Sequence, residues 1–377
     1  MLICDVPSGV FEDVLTVIST EIGFAATGLT VFDGWNWQPP AHWSRVATIE
    51  LHTGGEPLRV LAAGLPPIEG DTVLEKRRYF REHYDYLRTG MMWEPRGHAD
   101  MYGAVITPSL EADFDVFFLH NEGYSTMCGH AIIALTTLVV ETGMIRQDAK
   151  EHGGSEVHLT FSVPAGRIHA RARIEEGKAR DVTFRNVPSF LYLREQEVHV
   201  SGIGRVRFDV AYGGAFYAVV DAMPLGLELV PQHFNRLVDY GRRIKLAVME
   251  GFPIEHPFER ELSFLYGTIF VAAPQQAGHH TRNVCIFAAG ELDRSPTGSG
   301  VSARAALHHA KGELQLNEPL TIESILGSTM TVRAVERTKF GPHDAVIPEV
   351  GGTAFITGRN ECYFDPNDPL GRGFIFR

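Results

Sequence analysis

The chain has 377 residues, a hydrophobic fraction of 44% and a mean hydropathy of -0.05, the balance of a globular protein with ample core. A net charge of -12 and a pI near 5.8 leave no clustered basic field, which argues against nucleic acid or an anionic membrane as partner. Cys4, Cys128, Cys285 and Cys362 lie far apart without a CxxC pair, so neither a disulfide framework nor a structural zinc site is expected, and a reducing cytoplasm fits best.

No Lys or Arg occurs before Arg45, while Asp5, Glu12, Asp13 and Glu21 surround the apolar residues 14–31. This pattern speaks against a secretory signal, a transit peptide and a membrane span. Trp35-Asn36-Trp37-Gln38-Pro39-Pro40 reads as a boundary, making residues 1–41 an N-terminal appendage. Residues 46–51 then alternate as a strand and run into His52-Thr53-Gly54-Gly55-Glu56-Pro57 and a second strand over 58–62. Residues 72–89 carry Leu74, Tyr79, Tyr86 and Leu87 at helical spacing, with Gly90 as the expected stop. A buried strand over 116–119 leads to Asn121-Glu122-Gly123-Tyr124-Ser125-Thr126-Met127-Cys128-Gly129-His130 and the apolar helical run 131–140.

Cys128 thus sits where a glycine-bearing turn feeds a helix, beside unpaired N–H groups and the positive dipole end that favour thiolate. A buried, inert cysteine is the competing reading. The second half repeats the plan, with a Gly213-Gly214 pair between strands, a helix over 235–250, a strand over 284–288, and Asp293-Arg294-Ser295-Pro296-Thr297-Gly298-Ser299-Gly300 leading into a helix over 301–307. The interval from glycine pair to helix turn is 74 residues in the first half (54 to 128) and 84 in the second (213 to 297). Two modules related by a pseudo-twofold would aim two helix N-termini at one carboxylate or phosphate in the cleft between them. Two unrelated Gly-rich turns remain the alternative at this point.

These motifs, together with Pro95-Arg96-Gly97-His98 and Asp100-Met101-Tyr102-Gly103-Ala104, resemble the proline racemase family over the chain from about Val46 onwards. The resemblance implies an α/β (α+β) fold of the diaminopimelate-epimerase type: two similar modules, each a curled mixed sheet around a central helix, with the active site between them and no cofactor or metal. Residues 42–200, with the C-terminal segment 355–377, would form the first module and carry Cys128; residues 201–354 would form the second and carry Thr297. Racemases and epimerases of the family carry cysteine at both turns. The Pro296-Thr297-Gly298 turn here is similar instead to the branch that dehydrates trans-3-hydroxy-L-proline.

A cofactor-free racemase needs an acid/base group on each face of the α-carbon, and threonine has no proton to exchange near neutral pH. One base suits an elimination, in which Cys128 removes the α-proton and the 3-hydroxyl leaves as water. By resemblance, Gly129, His130, Gly298 and Ser299 would hold the carboxylate and Asp293 the ring ammonium, with Thr297 a wall or hydrogen-bond donor on the far face. The expected partner is a small imino acid, with a homodimer as the candidate assembly. A racemase or epimerase, and a non-catalytic imino-acid binder, are the rival readings. His52 and His98 read as structural hydrogen-bonders, the pairs His279-His280 and His308-His309 as exposed, Cys285 as inert in its strand, and Arg96 and Glu122 as buried polar props.

Overall fold

The computed structural model describes residues 37–144 and 156–376, so the appendage expected over residues 1–41 lies almost wholly outside them. Strands dominate because long stretches alternate in burial: in Gly166–Glu175, Ile168, Ala170 and Ala172 point inward while their neighbours face solvent. The first sheet starts at Ala354–Phe364, which pairs antiparallel with Ser44–Thr53, and continues through Glu56–Ala63 and, in parallel, Tyr102–Pro108. Phe114–His120 follows antiparallel, Glu156–Val163 parallel, then Gly166–Glu175 and Lys178–Arg185 antiparallel.

The second sheet repeats that order of senses strand for strand. Phe190–Val200, Gly204–Tyr212, Phe216–Asp221, Leu265–Ala272, Thr281–Phe287, Leu320–Glu323, Thr329–Phe340 and His343–Gly352 pair antiparallel, antiparallel, parallel, antiparallel, parallel, antiparallel and antiparallel. Lys178–Arg185 pairs with His343–Gly352 and joins the two halves edge to edge. The fold is therefore a mixed α/β architecture of two like modules.

Among the described residues each module has two α-helices in matching crossovers. The outer pair is α1 (Val73–Met92) and, in the second module, a helix over Phe234–Gly251; the inner pair is α2 (Gly129–Glu141) and a helix over Gly298–Lys311. In chain order the two second-module helices are α3 (Phe234–Gly251) and α4 (Gly298–Lys311). Thr72 and Glu75 close a reciprocal capping box on α1. Gly90 does not end α1 as expected: it is buried where the Phe364 ring passes, 2.6 Å from where a Cβ would stand, and the helix runs on to Met92 before Glu94-Pro95.

The inner helices are swallowed by their sheets. Residues 129–140 of α2 and 298–307 of α4 are all buried, as their near-continuous apolar or small side chains require. Their N-termini meet head to head: a Cβ on Gly129 would stand 2.5 Å from Cα of Gly298, and one on Gly298 would stand 2.6 Å from Cα of Gly129. Only two glycines permit this approach, and it sets the width of the cleft between the modules.

Candidate active site

Where the two helix starts meet, a small cleft is lined by Cys128, Gly129, His130, Asp293, Thr297, Gly298 and Ser299, all seven residues marked in the sequence. Cys128 and Thr297 are the N-cap residues of α2 and α4, yet neither side chain caps its helix. A threonine there would ordinarily bond the N–H groups of the first turn. Thr297 instead adopts φ 69° and ψ 94°, a left-handed strain of about 1–3 kcal/mol. Its Oγ1 is left buried without a hydrogen-bond partner and caps none of the first-turn N–H groups of its helix.

Cys128 is 4% exposed, and its Sγ lies 3.1 Å from His130 Nδ1. Burial is the largest influence on the thiol and pushes it up; the Ala131 N–H works against that, and the negative charge of Asp293 adds to it. The helix start therefore does not by itself produce the easily ionised thiol expected from sequence, because the empty site is drier than a surface turn. Burial holds His130 below its ordinary value, leaving a neutral imidazole beside the thiol that can accept its proton.

Asp293 stands at 5% exposure with Oδ1 accepting from the Ser295 N–H at 2.7 Å. Glu56, which sequence reasoning placed only within a turn motif, is buried behind it. Its Oε2 accepts from the Arg294 N–H at 2.7 Å and its Oε1 has no partner. Burial first, and the Asp293 charge second, push the Glu56 carboxyl well up. Asp293 is thus the carboxylate that lines the cleft, with the Glu56 carboxyl nearby.

The rest of the lining has no site role assigned from the sequence, although Tyr102, Met127, Tyr217 and Tyr266 lie in or beside its motifs. Tyr102, Tyr217, Tyr266, Met127 and Phe287 complete the wall, and the Ser299 hydroxyl lies 2.7 Å from that of Tyr217. Cys285 is fully buried in its strand, as expected, and also lines the cleft beside Thr297. Burial pushes its thiol up, and the negative charge of Asp293 adds to it. Aromatic residues in apolar strands carry no local sign of facing a cavity; that depends on a partner sheet more than a hundred residues away in the chain.

The remaining histidines and props are placed plainly. His98 is exposed against the Ala99 carbonyl, and His52 Nδ1 accepts from the Gly55 N–H. Of the paired histidines only His280 is exposed; His279, His308 and His309 are half-buried on Glu323, Glu313 and the Leu314 carbonyl. Among the described residues no group of His, Cys, Asp and Glu is arranged to hold a metal ion. Arg96 ties the carbonyls of Gly371 and Tyr363, as a prop should, whereas Glu122 is exposed rather than buried because it sits at the tip of a tight strand turn. Among the described residues no helix is long and apolar enough to cross a membrane.

Comparison with known proteins points one way. Residues 48–375 match the family described as proline racemase. The chain is 51% identical over 346 residues, 90% of its length and 96% of the relative's, to the trans-3-hydroxy-L-proline dehydratase of Colwellia psychrerythraea. It is 42% identical, over 88% of its length and 98% of the relative's, to a 3-hydroxyproline 2-epimerase of Burkholderia multivorans. Among solved structures, a hydroxyproline epimerase of Agrobacterium vitis with bound trans-4-hydroxy-L-proline superposes with a TM-score of 0.81 at 31% identity, covering 88% of this chain and 96% of that one.

Proposed function

The chain belongs to the proline racemase family, and from that membership we propose that it dehydrates trans-3-hydroxy-L-proline to 1-pyrroline-2-carboxylate. The observation that carries the reading is the unequal pair of helix starts: a thiol at Cys128 faces a hydroxyl at Thr297. A high-identity relative named for this activity supports it.

The substrate carboxylate would lie on the N–H groups of Gly129, His130, Gly298 and Ser299, where two helix dipoles converge. That cradle also stabilises the charge that builds as the α-carbon loses its proton. The ring ammonium would face Asp293, with Glu56 behind. Entry of this cation offsets the negative charge that adds to burial in keeping Cys128 protonated, and His130 takes the thiol proton. Cys128 thiolate then removes the α-proton, the C3–O bond breaks, and the resulting enamine tautomerises to the cyclic imine. In the trans isomer the hydroxyl shares a ring face with the α-hydrogen. The thiol formed on Cys128 is therefore placed to protonate the departing group, and the base is regenerated. Thr297, which has no titratable proton near neutrality, keeps the opposite face silent.

The test is reduction by borohydride of a reaction mixture containing trans-3-hydroxy-L-proline, which converts the imine to proline. Proline should form with the wild type and fall by at least about 10³-fold with Cys128→Ser. Undiminished activity in Cys128→Ser would dispose of the mechanism. One observation favours a second reading, 2-epimerisation: Cys285 places another thiol in the cleft beside Thr297. An epimerase using it would lose epimer formation in Cys285→Ser, whereas the dehydratase should keep making imine. We also place the protein in the cytoplasm, on the strength of Cys128, Cys285 and Cys362 being free thiols.

A further inference from the structure

Three tyrosines line the cleft, and their hydroxyls are not equivalent. That of Tyr102 is bonded to the Ser125 hydroxyl and that of Tyr217 to the Ser299 hydroxyl. The hydroxyl of Tyr266 is buried: the Tyr102 hydroxyl donates towards its oxygen, and its own proton meets no acceptor. A buried polar group left unmade is costly, and inside a ligand cleft the physical reason for keeping one is that the ligand completes it.

The position of Tyr266 identifies which part of a ligand it meets. It opens the strand Leu265–Ala272 of the second module, with its ring stacked on Phe287 at 5.4 Å between centroids and edge-on to Tyr217 at 5.9 Å, so it is locked in place. Its ring also stands edge-on to His120 of the first module at 6.1 Å, and His120 stacks on Tyr102, which packs edge-on to His130 at 4.9 Å, two residues from Cys128. Tyr266 therefore borders the Cys128 side of the cleft. Burial pushes its ionisation well up, so the phenol stays neutral and acts as a donor. Thr297, the unpartnered hydroxyl of the lining, belongs to the opposite helix start and faces the opposite side of a bound ring.

We propose that the Tyr266 hydroxyl is the site for the 3-hydroxyl of the substrate, donating a hydrogen bond to its oxygen on the face served by Cys128. The assignment rests on the dehydration reading above and adds the residue that selects for the leaving group. The atoms balance without Tyr266 ionising. The Cα–H bond breaks to Cys128 sulfur, its electron pair forms the Cα–Cβ double bond, and the C3–O pair leaves on oxygen. The proton on Cys128 sulfur passes to that oxygen to make water, while the Tyr266 hydrogen bond holds the oxygen in reach and spreads its charge.

Tyr266→Phe tests this. Its expected effect is a fall of roughly 10²-fold in kcat for dehydration, with unchanged affinity for pyrrole-2-carboxylate, a flat ligand that lacks the hydroxyl. In D2O the variant should also return trans-3-hydroxy-L-proline carrying α-deuterium faster than it forms imine, because proton removal survives while C3–O cleavage lags. Dehydration at the wild-type rate would overturn the assignment. So would a matching loss of pyrrole-2-carboxylate affinity, which would mark a structural role, or a slow variant returning no deuterium, which would place Tyr266 in the proton-removal step. A wild type that makes no imine sinks the dehydration reading itself, and that result is read without any variant.

Discussion

Gly129→Ala probes the contact that makes one site out of two modules. The added Cβ would stand 2.5 Å from Cα of Gly298, 2.8 Å from its carbonyl carbon and 2.9 Å from the Phe184 ring. Two of the three obstacles are backbone, so no rotamer change relieves them. Restoring an ordinary contact of 3.4 Å requires the helix starts to part by about 0.9 Å. Overpacking of this kind costs about 1–3 kcal/mol. Unfolding entropy for a chain of 377 residues is about 0.8 kcal/mol per K, so the melting temperature should drop by roughly 1–4 °C. The functional loss should be larger than the thermal one, because a displacement near 1 Å in a catalytic cradle costs about 10²-fold in rate. Gly358→Ala is the control: it lies in an outer strand with nothing within 4 Å of the added carbon and should change neither quantity. Calorimetric titration with pyrrole-2-carboxylate and thermal melts of both variants decide the matter. If Gly129→Ala melts and binds like the wild type, the two helix starts do not share one ligand and the cradle described here is wrong.

Thr297→Cys would place thiols at both helix starts. Dehydration should weaken and α-deuterium should appear in a recovered proline substrate; if neither happens, more than this residue sets the reaction type. Asp293→Asn removes the charge that faces the ring ammonium, so KM for the imino acid should rise roughly 10–100-fold, as expected for a charged hydrogen bond. Pyrrole-2-carboxylate carries no ammonium and should bind that variant nearly as before; equal losses for both ligands would contradict the assignment. Glu56→Gln tests the buried carboxyl through stability. With its folded pKa raised above the ordinary 4.5, the native state holds a proton that the unfolded chain releases, so this group's stabilisation is lost as pH rises from about 4.5 through the folded value. Melting curves between pH 4.5 and 8 should show the variant gaining on the wild type as pH rises, and parallel curves would refute the burial argument.

The repeat was legible because each copy of the module carries the same local devices: a glycine pair between strands, then a glycine-bearing turn before a small-residue helix. Those devices are local, and they sufficed to bring Cys128 and Thr297 to the same cleft. The strands over residues 156–200 and 320–364 carry no such motif, and burial alternates regularly in Glu156–Val163 and Gly166–Glu175 but not in Phe190–Val200 or Ala354–Phe364. The tyrosines, Cys285 and Glu56 were missed for a different reason. Tyr102 and Tyr266 meet across the module boundary, and Glu56 reaches Arg294 from 238 residues away, so their meeting depends on how two sheets are joined. The thiol was misjudged in environment rather than in place. A helix start favours thiolate, but at 4% exposure desolvation outweighs one backbone N–H, and ionisation has to come with the ligand.

The central claim is that a single base acts on one face of the substrate. Proton NMR of the wild type with trans-3-hydroxy-L-proline in D2O measures it, since imine, epimer and recovered substrate give separate signals. The account predicts steady formation of 1-pyrroline-2-carboxylate with no cis-3-hydroxy-D-proline at any time. Accumulation of α-deuterated cis-3-hydroxy-D-proline without imine would show two bases at work and contradict it.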